Sequence, residues 1–181
     1  MKWVGRCGEC QAWGTVEDAA AATGPSNVAP LAPRSPAQPI TEVSQQASVK
    51  APTGVPELDR VLGGGLVPGV VILLAGEPGV GKSTLLLDVA AKAAEEAKKN
   101  GKPPVLYVTG EESASQVRSR AERIGALHEH LYLTAEADLA KILGHIGESK
   151  PSLLIVDSVQ TVVDPKVEGA AGGVAQVRSV T

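Results

Sequence analysis

Aromatic residues are nearly missing from this sequence of 181 residues, which contains no Phe, two Trp and two Tyr. A hydrophobic core therefore has to be built from Val, Leu, Ile and Ala, the usual filling of a parallel α/β sheet. The hydrophobic content of 43% is sufficient for such a core. The composition thus predicts a globular α/β protein with a mainly parallel sheet.

Excess charge and long apolar runs are also lacking. The net charge of −3 gives the chain no overall basic footprint for nucleic acid, so any DNA contact has to come from a local patch. No apolar run is long enough to cross a membrane, and no signal-peptide pattern opens the sequence. We therefore expect a cytoplasmic protein that has no membrane partner.

Cysteine is scarce as well, with only Cys7 and Cys10, spaced as C-x-x-C. In a cytosolic chain this spacing indicates zinc binding or redox chemistry rather than a structural disulfide. Redox chemistry is disfavoured because Gly8 and the flanking glycines favour a turn over a helix. Structural zinc requires four ligands, and only two are near here. We therefore predict a partial zinc finger over residues 1–16, with Cys7 and Cys10 as a possible zinc half-site.

The composition changes after this segment to Ala, Pro, Ser and Gln, with prolines recurring between Pro25 and Pro39. Such a segment cannot bury enough apolar surface to offset its conformational entropy. We predict a disordered linker over residues 17–52 and a folded domain over residues 53–181.

The most informative stretch reads Gly-Glu-Pro-Gly-Val-Gly-Lys-Ser-Thr over residues 76–84. An apolar run, 70–75, predicts a strand before it, and a helix is predicted after it from about Lys82 to Lys99. This is the strand, loop and helix context of a G-x-x-x-x-G-K-[ST] phosphate loop, in which backbone N–H groups converge on a polyphosphate. A glycine-rich turn with an incidental lysine is the alternative.

The phosphate loop assigns roles to its residues. Lys82 supplies a positive charge to the phosphates and Ser83 a magnesium ligand. The predicted nucleotide-binding residues are Gly76, Glu77, Pro78, Gly79, Val80, Gly81, Lys82, Ser83 and Thr84. The predicted inner face of the helix contains Leu85, Leu86, Val89, Ala90, Ala93 and Ala97.

Strands and helices alternate through the rest of the chain. Strands are predicted at 104–109, 131–134 and 152–157, and helices at 114–124 and 137–146. Ser113 is the predicted N-cap of the first of these helices, and Gly125 ends it. This alternation predicts a parallel sheet.

Acidic residues follow two of the predicted strands, at the edge where ligands of a parallel sheet gather. Asp157 is the predicted second acidic group that holds magnesium together with Ser83. Glu111 is the predicted general base for the attacking water, acting beside the catalytic Lys82. Glu112 is a competing candidate for this role. Alternatively, both glutamates only stabilise the next helix, because negative charge near a helix N-terminus is favourable.

Four segments together resemble the bacterial RadA (Sms) family of RecA-like DNA repair ATPases: 53–65, 76–84, 107–113 and 154–161. In addition, residues 3–13 are similar to the second half of that family's N-terminal zinc finger. The resemblance covers nearly the whole chain except the linker, and the combination is more specific than any single segment.

The resemblance implies a RecA-like P-loop fold that binds ATP with Mg²⁺ and hydrolyses it. It further implies binding to single-stranded or branched DNA, cooperation with a recombinase, a homo-oligomeric ring, and branch migration of recombination intermediates. Glu111 falls where that superfamily keeps its catalytic glutamate.

The resemblance also implies segments that this sequence does not contain. The family has a first C-x-x-C before the Lys2 stretch, and after Thr181 the rest of the ATPase core, a Lys-Asn-Arg-Phe-Gly motif and a Lon-protease-like domain. We therefore expect a chain truncated at both ends with an incomplete core, through an internal methionine start or a fragmentary gene. Such a chain is expected to bind nucleotide but to hydrolyse it poorly.

Two other functions fit parts of the sequence. A P-loop small-molecule kinase would need an acceptor pocket and an arginine-rich lid, and the acidic pair Glu111 and Glu112 suits water activation better. A non-catalytic nucleotide-binding fragment or adaptor would use the finger remnant and the linker to bind a partner.

Overall fold

The computed structural model describes residues 37, 39–42 and 49–181. The chain divides into two compact units, 1–43 and 44–181. In the first unit the described residues include an exposed 3₁₀ turn, Ile40–Glu42. Cys7, Cys10 and the predicted finger lie outside the described residues, as does most of the predicted linker.

The second unit alternates helices and strands. Within residues 49–181 these are α1 (Pro56–Val61), α2 (Lys82–Lys99), β1 (Val105–Thr109), α3 (Ala114–Ile124), β2 (Leu131–Ala135), α4 (Leu139–Ser149), β3 (Leu153–Asp157) and α5 (Val174–Val180). The predicted bounds of α2 and α3 are confirmed.

A three-stranded parallel sheet organises this unit, in the order β2-β1-β3. Val105 pairs with Leu131 on one side, and Thr109 pairs with Asp157 on the other. All five residues of β1 are buried. The prediction of a parallel α/β sheet is therefore confirmed.

The sheet has a core on each face. Tyr107 of β1 and Ile155 of β3 pack in the same cluster as Leu87 of α2. Val108, which points the opposite way, packs with Ile142 of α4. Helix α2 therefore covers the face of the sheet to which Tyr107 and Ile155 contribute.

Helix α3 begins and ends where its capping residues are found. The Ser113 hydroxyl accepts a hydrogen bond from Gln116 N, and the Gln116 side chain accepts one from Ser113 N, which completes a capping box. Gly125 ends the helix with a φ of 70°. Helix α4 begins later than predicted because the Asp138 carboxylate caps it, accepting hydrogen bonds from the backbone N–H groups of Ala140 and Lys141.

The prediction of a strand over residues 70–75 is wrong. None of β1, β2 and β3 pairs with this segment, and within the described chain the segment forms no strand. Its side chains are largely exposed, with Val71 at 95% and Leu73 at 78%. A run of apolar residues indicates a tendency to be buried. A strand also needs a neighbouring strand that pairs with its N–H and C=O groups, and residues 70–75 pair with none of the three described strands.

The inner face of α2 also differs in part from the prediction. Val89, Ala90 and Ala97 are buried as predicted, but the large apolar side chain at the centre of the core is Leu87, which is 2% exposed. Leu85, Leu86 and Ala93 are only partly buried. The helix is thus rotated relative to the face that the sequence predicted.

Replacing Leu87 by Ala is expected to destabilise this unit by about 3 kcal/mol, because it removes buried methyl groups and leaves a cavity beside Tyr107. Urea unfolding followed by circular dichroism measures the loss. Leu143→Ala is the matched control, since Leu143 also lies in a helix but is 57% exposed. The control should change stability by less than about 0.5 kcal/mol, and equal losses in the two variants would contradict this description of the core.

Among residues 37, 39–42 and 49–181, no helix is long and apolar enough to cross a membrane.

Candidate functional site

The first N–H groups of α2 have no hydrogen-bond acceptor within the helix. The first intrahelical bond of α2 runs from Leu85 N to Gly81 O, at 2.9 Å. The N–H groups of Lys82, Ser83 and Thr84 therefore precede the helical ladder, and Gly81 has no side chain to cap them. Uncapped N–H groups together with the helix dipole favour a bound anion such as phosphate.

Glycines give the loop its path. Gly79 has a φ of +82° and Gly81 a φ of +93°, a region that other L-residues rarely adopt. At both positions an added Cβ would meet no heavy atom within 4 Å, so it would project into the open space beside the loop. The positive φ angles of the backbone, and not a lack of space, therefore favour glycine at these two positions.

The Lys82 side chain folds back over the loop. Its Nζ donates hydrogen bonds to Gly76 O at 2.7 Å and to Glu77 O at 2.6 Å. The ammonium group is thus held at the first residues of the loop, and the free N–H groups of residues 82–84 lie at its other end. Both belong to one short loop, and their positive charge favours a bound polyphosphate.

Asp157 ends β3 on the face of the sheet that α2 covers. Ile155, two residues earlier, packs in the core on that face, and side chains of a strand alternate between faces. Ser83 lies in the first turn of α2. A hydroxyl and a carboxylate are oxygen ligands of the kind that Mg²⁺ prefers, so the chemistry of these two side chains suits the magnesium role that the sequence predicts for them.

Tyr107 is a residue of this site that the sequence analysis missed. Its hydroxyl donates a hydrogen bond to Asp157 Oδ2 at 2.7 Å. Burial raises the pKa of Tyr107 well above its ordinary value, and the hydrogen bond to Asp157 and the charge of that carboxylate raise the pKa further. The signal was present in the sequence, because a tyrosine inside an otherwise aliphatic strand must find a partner for its hydroxyl.

The structure separates the two glutamates after β1. Glu112 forms an ion pair with Arg120 of α3, in which Oε1 lies 2.6 Å from a guanidinium nitrogen, and both side chains are partly buried. Glu111 is exposed, and its Oε1 accepts a hydrogen bond from the Ser158 hydroxyl at 2.8 Å. Glu111 therefore faces the turn that follows Asp157, whereas Glu112 is engaged in holding α3. Glu111 is therefore the more accessible of the two carboxylates.

Gly110 makes the close contact between the ends of β1 and β3. Its N–H donates to Asp157 O at 3.1 Å. An added Cβ would overlap Thr161 Oγ1 and lie 2.9 Å from Thr161 Cβ. The Thr161 hydroxyl donates to Ser158 O at 2.7 Å, and this contact holds the 3₁₀ turn Val159–Thr161. The absence of a side chain at Gly110 thus allows Glu111 and Ser158 to approach each other.

Gly110→Ala is expected to cost about 1–3 kcal/mol of stability, because Thr161 must move and its hydrogen bond to Ser158 is lost. Chemical denaturation measures the effect. Gly144→Ala is the matched control, since Gly144 lies within α4 with no heavy atom within 4 Å of an added Cβ. Because alanine favours a helix over glycine, the control should be neutral or more stable by up to about 1 kcal/mol. A Gly110→Ala protein as stable as the original would show that this contact is not tight.

Within the described part of the chain, no group of three or more His, Cys, Asp or Glu residues could hold a metal ion. A magnesium ion at Ser83 and Asp157 would not require such a group, because Mg²⁺ keeps several waters and binds phosphate oxygens. The predicted zinc ligands, Cys7 and Cys10, lie outside the described residues.

Known proteins match this chain in two ways. The model of the AAA domain family matches residues 36–178. Proteins named DNA repair protein RadA are similar over almost the whole chain: that of Mycolicibacterium smegmatis is 55% identical over 99% of this chain and 39% of that protein. The corresponding protein of Mycobacterium tuberculosis is 52% identical over 99% of this chain and 37% of its own length. That of Aquifex aeolicus is 44% identical over 100% of this chain and 39% of its own length. The chain thus spans about two fifths of the length of these curated relatives.

Proposed function

Because this chain belongs to the AAA domain family and is RadA-like over nearly its whole length, we propose that it is the ATP-binding part of a DNA repair ATPase. The observation that carries this proposal is the uncapped N-terminus of α2 with the Lys82 ammonium folded over its loop. An uncapped helix end and a lysine at the same loop are the two elements with which a phosphate loop binds a nucleoside triphosphate.

The first residues of α2 and Asp157 have separate physical tasks in this proposal. The N–H groups of Lys82, Ser83 and Thr84 bind phosphate oxygens, and Lys82 gives up its carbonyl partners to neutralise phosphate charge. Ser83 and Asp157 hold the magnesium ion or its waters. When bound, the ion neutralises the charge that develops on the phosphates.

We assign the activation of water to Glu111. Its carboxylate is exposed and lies at the carboxyl end of β1, next to the turn that follows Asp157. A carboxylate in this position accepts the proton of a water molecule that attacks the terminal phosphate. The hydrogen bond from Ser158 restricts the rotation of Glu111 and so favours one orientation.

The DNA-related part of the proposal rests on the names of the relatives. The RadA proteins of the two mycobacteria carry the name DNA repair protein, and we propose that this chain acts in recombinational DNA repair. Branch migration, a homo-oligomeric ring, and binding to single-stranded or branched DNA and to a recombinase belong to this proposal. Cys7 and Cys10 are proposed to supply half of a zinc site, which needs two further ligands.

Nucleotide binding and phosphate release test this function directly. Isothermal titration should give tight binding of ATP and ADP with Mg²⁺ and weak binding of AMP, because the loop binds the outer phosphates. Phosphate release should be measured with and without single-stranded DNA. Failure to bind ATP would refute the nucleotide site. Equal affinity for AMP and ATP would refute recognition through the phosphate loop, and transfer of phosphate to a small molecule instead of water would favour a kinase.

A further inference from the structure

A buried tyrosine contacts the carboxylate at the predicted magnesium site. Tyr107 lies in the middle of β1 and is 1% exposed. In the register of the sheet it is opposite Ile155, so its ring reaches along the strand direction to Asp157, two residues further on. The hydroxyl donates to Asp157 Oδ2 at 2.7 Å, and the two residues are 50 positions apart in the sequence.

The Tyr107 hydroxyl is the donor in this contact, because a carboxylate oxygen accepts hydrogen bonds. The residue is 1% exposed, so water does not compete with Asp157 for the hydroxyl. A hydrogen bond from a neutral donor to a carboxylate is charge-assisted and shorter and stronger than one between neutral groups.

This hydrogen bond restricts the rotation of the Asp157 carboxylate and leaves one of its oxygens available. It engages Oδ2 only, and within the described residues no other side chain or backbone N–H is hydrogen-bonded to the Asp157 carboxylate. Oδ1 is therefore the oxygen that remains for a metal ion or for one of its waters. Without the phenol, the carboxylate could rotate about its terminal bond, since that torsion is broad for aspartate.

We propose that Tyr107 is a positioning residue for magnesium: its hydroxyl holds the Asp157 carboxylate so that Oδ1 is presented to the ion or to its water. This inference rests on the proposed ATP and Mg²⁺ site. Residues that orient a metal-binding carboxylate typically change metal affinity about 10–100-fold when they are removed.

A purely structural role for Tyr107 is the rival account, in which Asp157 only satisfies a buried hydroxyl. The two accounts differ in what Tyr107→Phe changes. Phenylalanine keeps the ring against Leu87 and Val117 and removes a single oxygen. A structural role predicts a change in stability alone, whereas a positioning role predicts a change in the dependence on Mg²⁺.

The experiment is a titration of Mg²⁺ at a fixed subsaturating concentration of ATP, with bound ATP measured by equilibrium dialysis. For Tyr107→Phe we expect the Mg²⁺ concentration at half-saturation to rise about 10-fold, with ATP binding in EDTA unchanged. Tyr132→Phe is the matched control, because Tyr132 lies on β2 and is 50% exposed. The control should leave the titration unchanged.

A double-mutant cycle separates positioning from a general disturbance. In an Asp157→Asn background, Tyr107→Phe should produce no further rise in the Mg²⁺ requirement, because the oriented carboxylate is already gone. A thermal melt of each variant verifies that it is folded at the temperature of the titration. A lower melting temperature together with an unchanged Mg²⁺ titration would overturn the positioning role and leave the nucleotide site intact. An original protein whose ATP binding does not depend on Mg²⁺ at all would overturn the magnesium site, and this inference with it.

Discussion

Lys82→Ala is expected to weaken the binding of ATP with Mg²⁺ by about 10- to 100-fold, since a hydrogen bond from a charged group contributes about 1.5–3 kcal/mol. The physical reason is the position of the ammonium group, which lies against Gly76 O and Glu77 O at the loop. No neighbouring residue of the loop carries a positive charge that could replace it. Isothermal titration with ATP measures the loss directly.

The control for this variant is Lys102→Ala. Lys102 is exposed and follows the opposite end of α2, about 27 Å away along a helix of 18 residues. The Lys102→Ala substitution removes the same charge from the chain and leaves the loop unchanged. Equal losses of affinity in the two variants would show that net charge, and not the phosphate loop, determines nucleotide binding.

Thermal stability provides a second measurement for Lys82→Ala. The bonds that Lys82 makes are to carbonyls of an exposed loop, so the free variant should melt within a few degrees of the original protein. ATP at about 100 times its dissociation constant should stabilise the original protein by about 2.7 kcal/mol and the variant much less. A variant that melts far below the original without ligand would reveal a structural role for the lysine.

Glu111→Gln is expected to lower the rate of ATP hydrolysis by about 10²–10⁴-fold, because an amide cannot accept the proton of the attacking water. ATP affinity should remain unchanged, since Glu111 follows β1 and is not a residue of the phosphate loop. Glutamine keeps the size of the side chain and can still accept the hydrogen bond from Ser158. Single-turnover measurements with protein in excess over labelled ATP make a slow reaction measurable.

Glu112→Gln is the matched comparison for this prediction. It removes a neighbouring carboxylate with the same chemistry, but that carboxylate is bound to Arg120. We expect the rate of hydrolysis to change by less than about 3-fold, and the stability to fall by about 1 kcal/mol as the ion pair is weakened. Loss of hydrolysis in Glu112→Gln with full activity in Glu111→Gln would reverse the assignment of the general base.

Several elements could be predicted from the sequence because their determinants lie within a few residues. The N-terminus of α3 depends on Ser113 and Gln116, and its C-terminus on Gly125. The phosphate loop is contiguous, and the beginning of α2 at Lys82 follows from its last glycine. Alternating strands and helices sufficed for the parallel sheet, because parallel strands need a crossover between them.

The tertiary structure decided what depends on distant partners. Glu111 contacts Ser158 and Glu112 contacts Arg120, and neither partner belongs to the motif that contains the two glutamates. The contact of Tyr107 with Asp157 requires the register of β1 and β3. The sequence by itself therefore determined the phosphate loop and the helix ends, where local hydrogen bonds suffice. Which polar groups share the edge of the sheet, and whether residues 70–75 find a strand partner, depended on pairings between segments far apart in the chain.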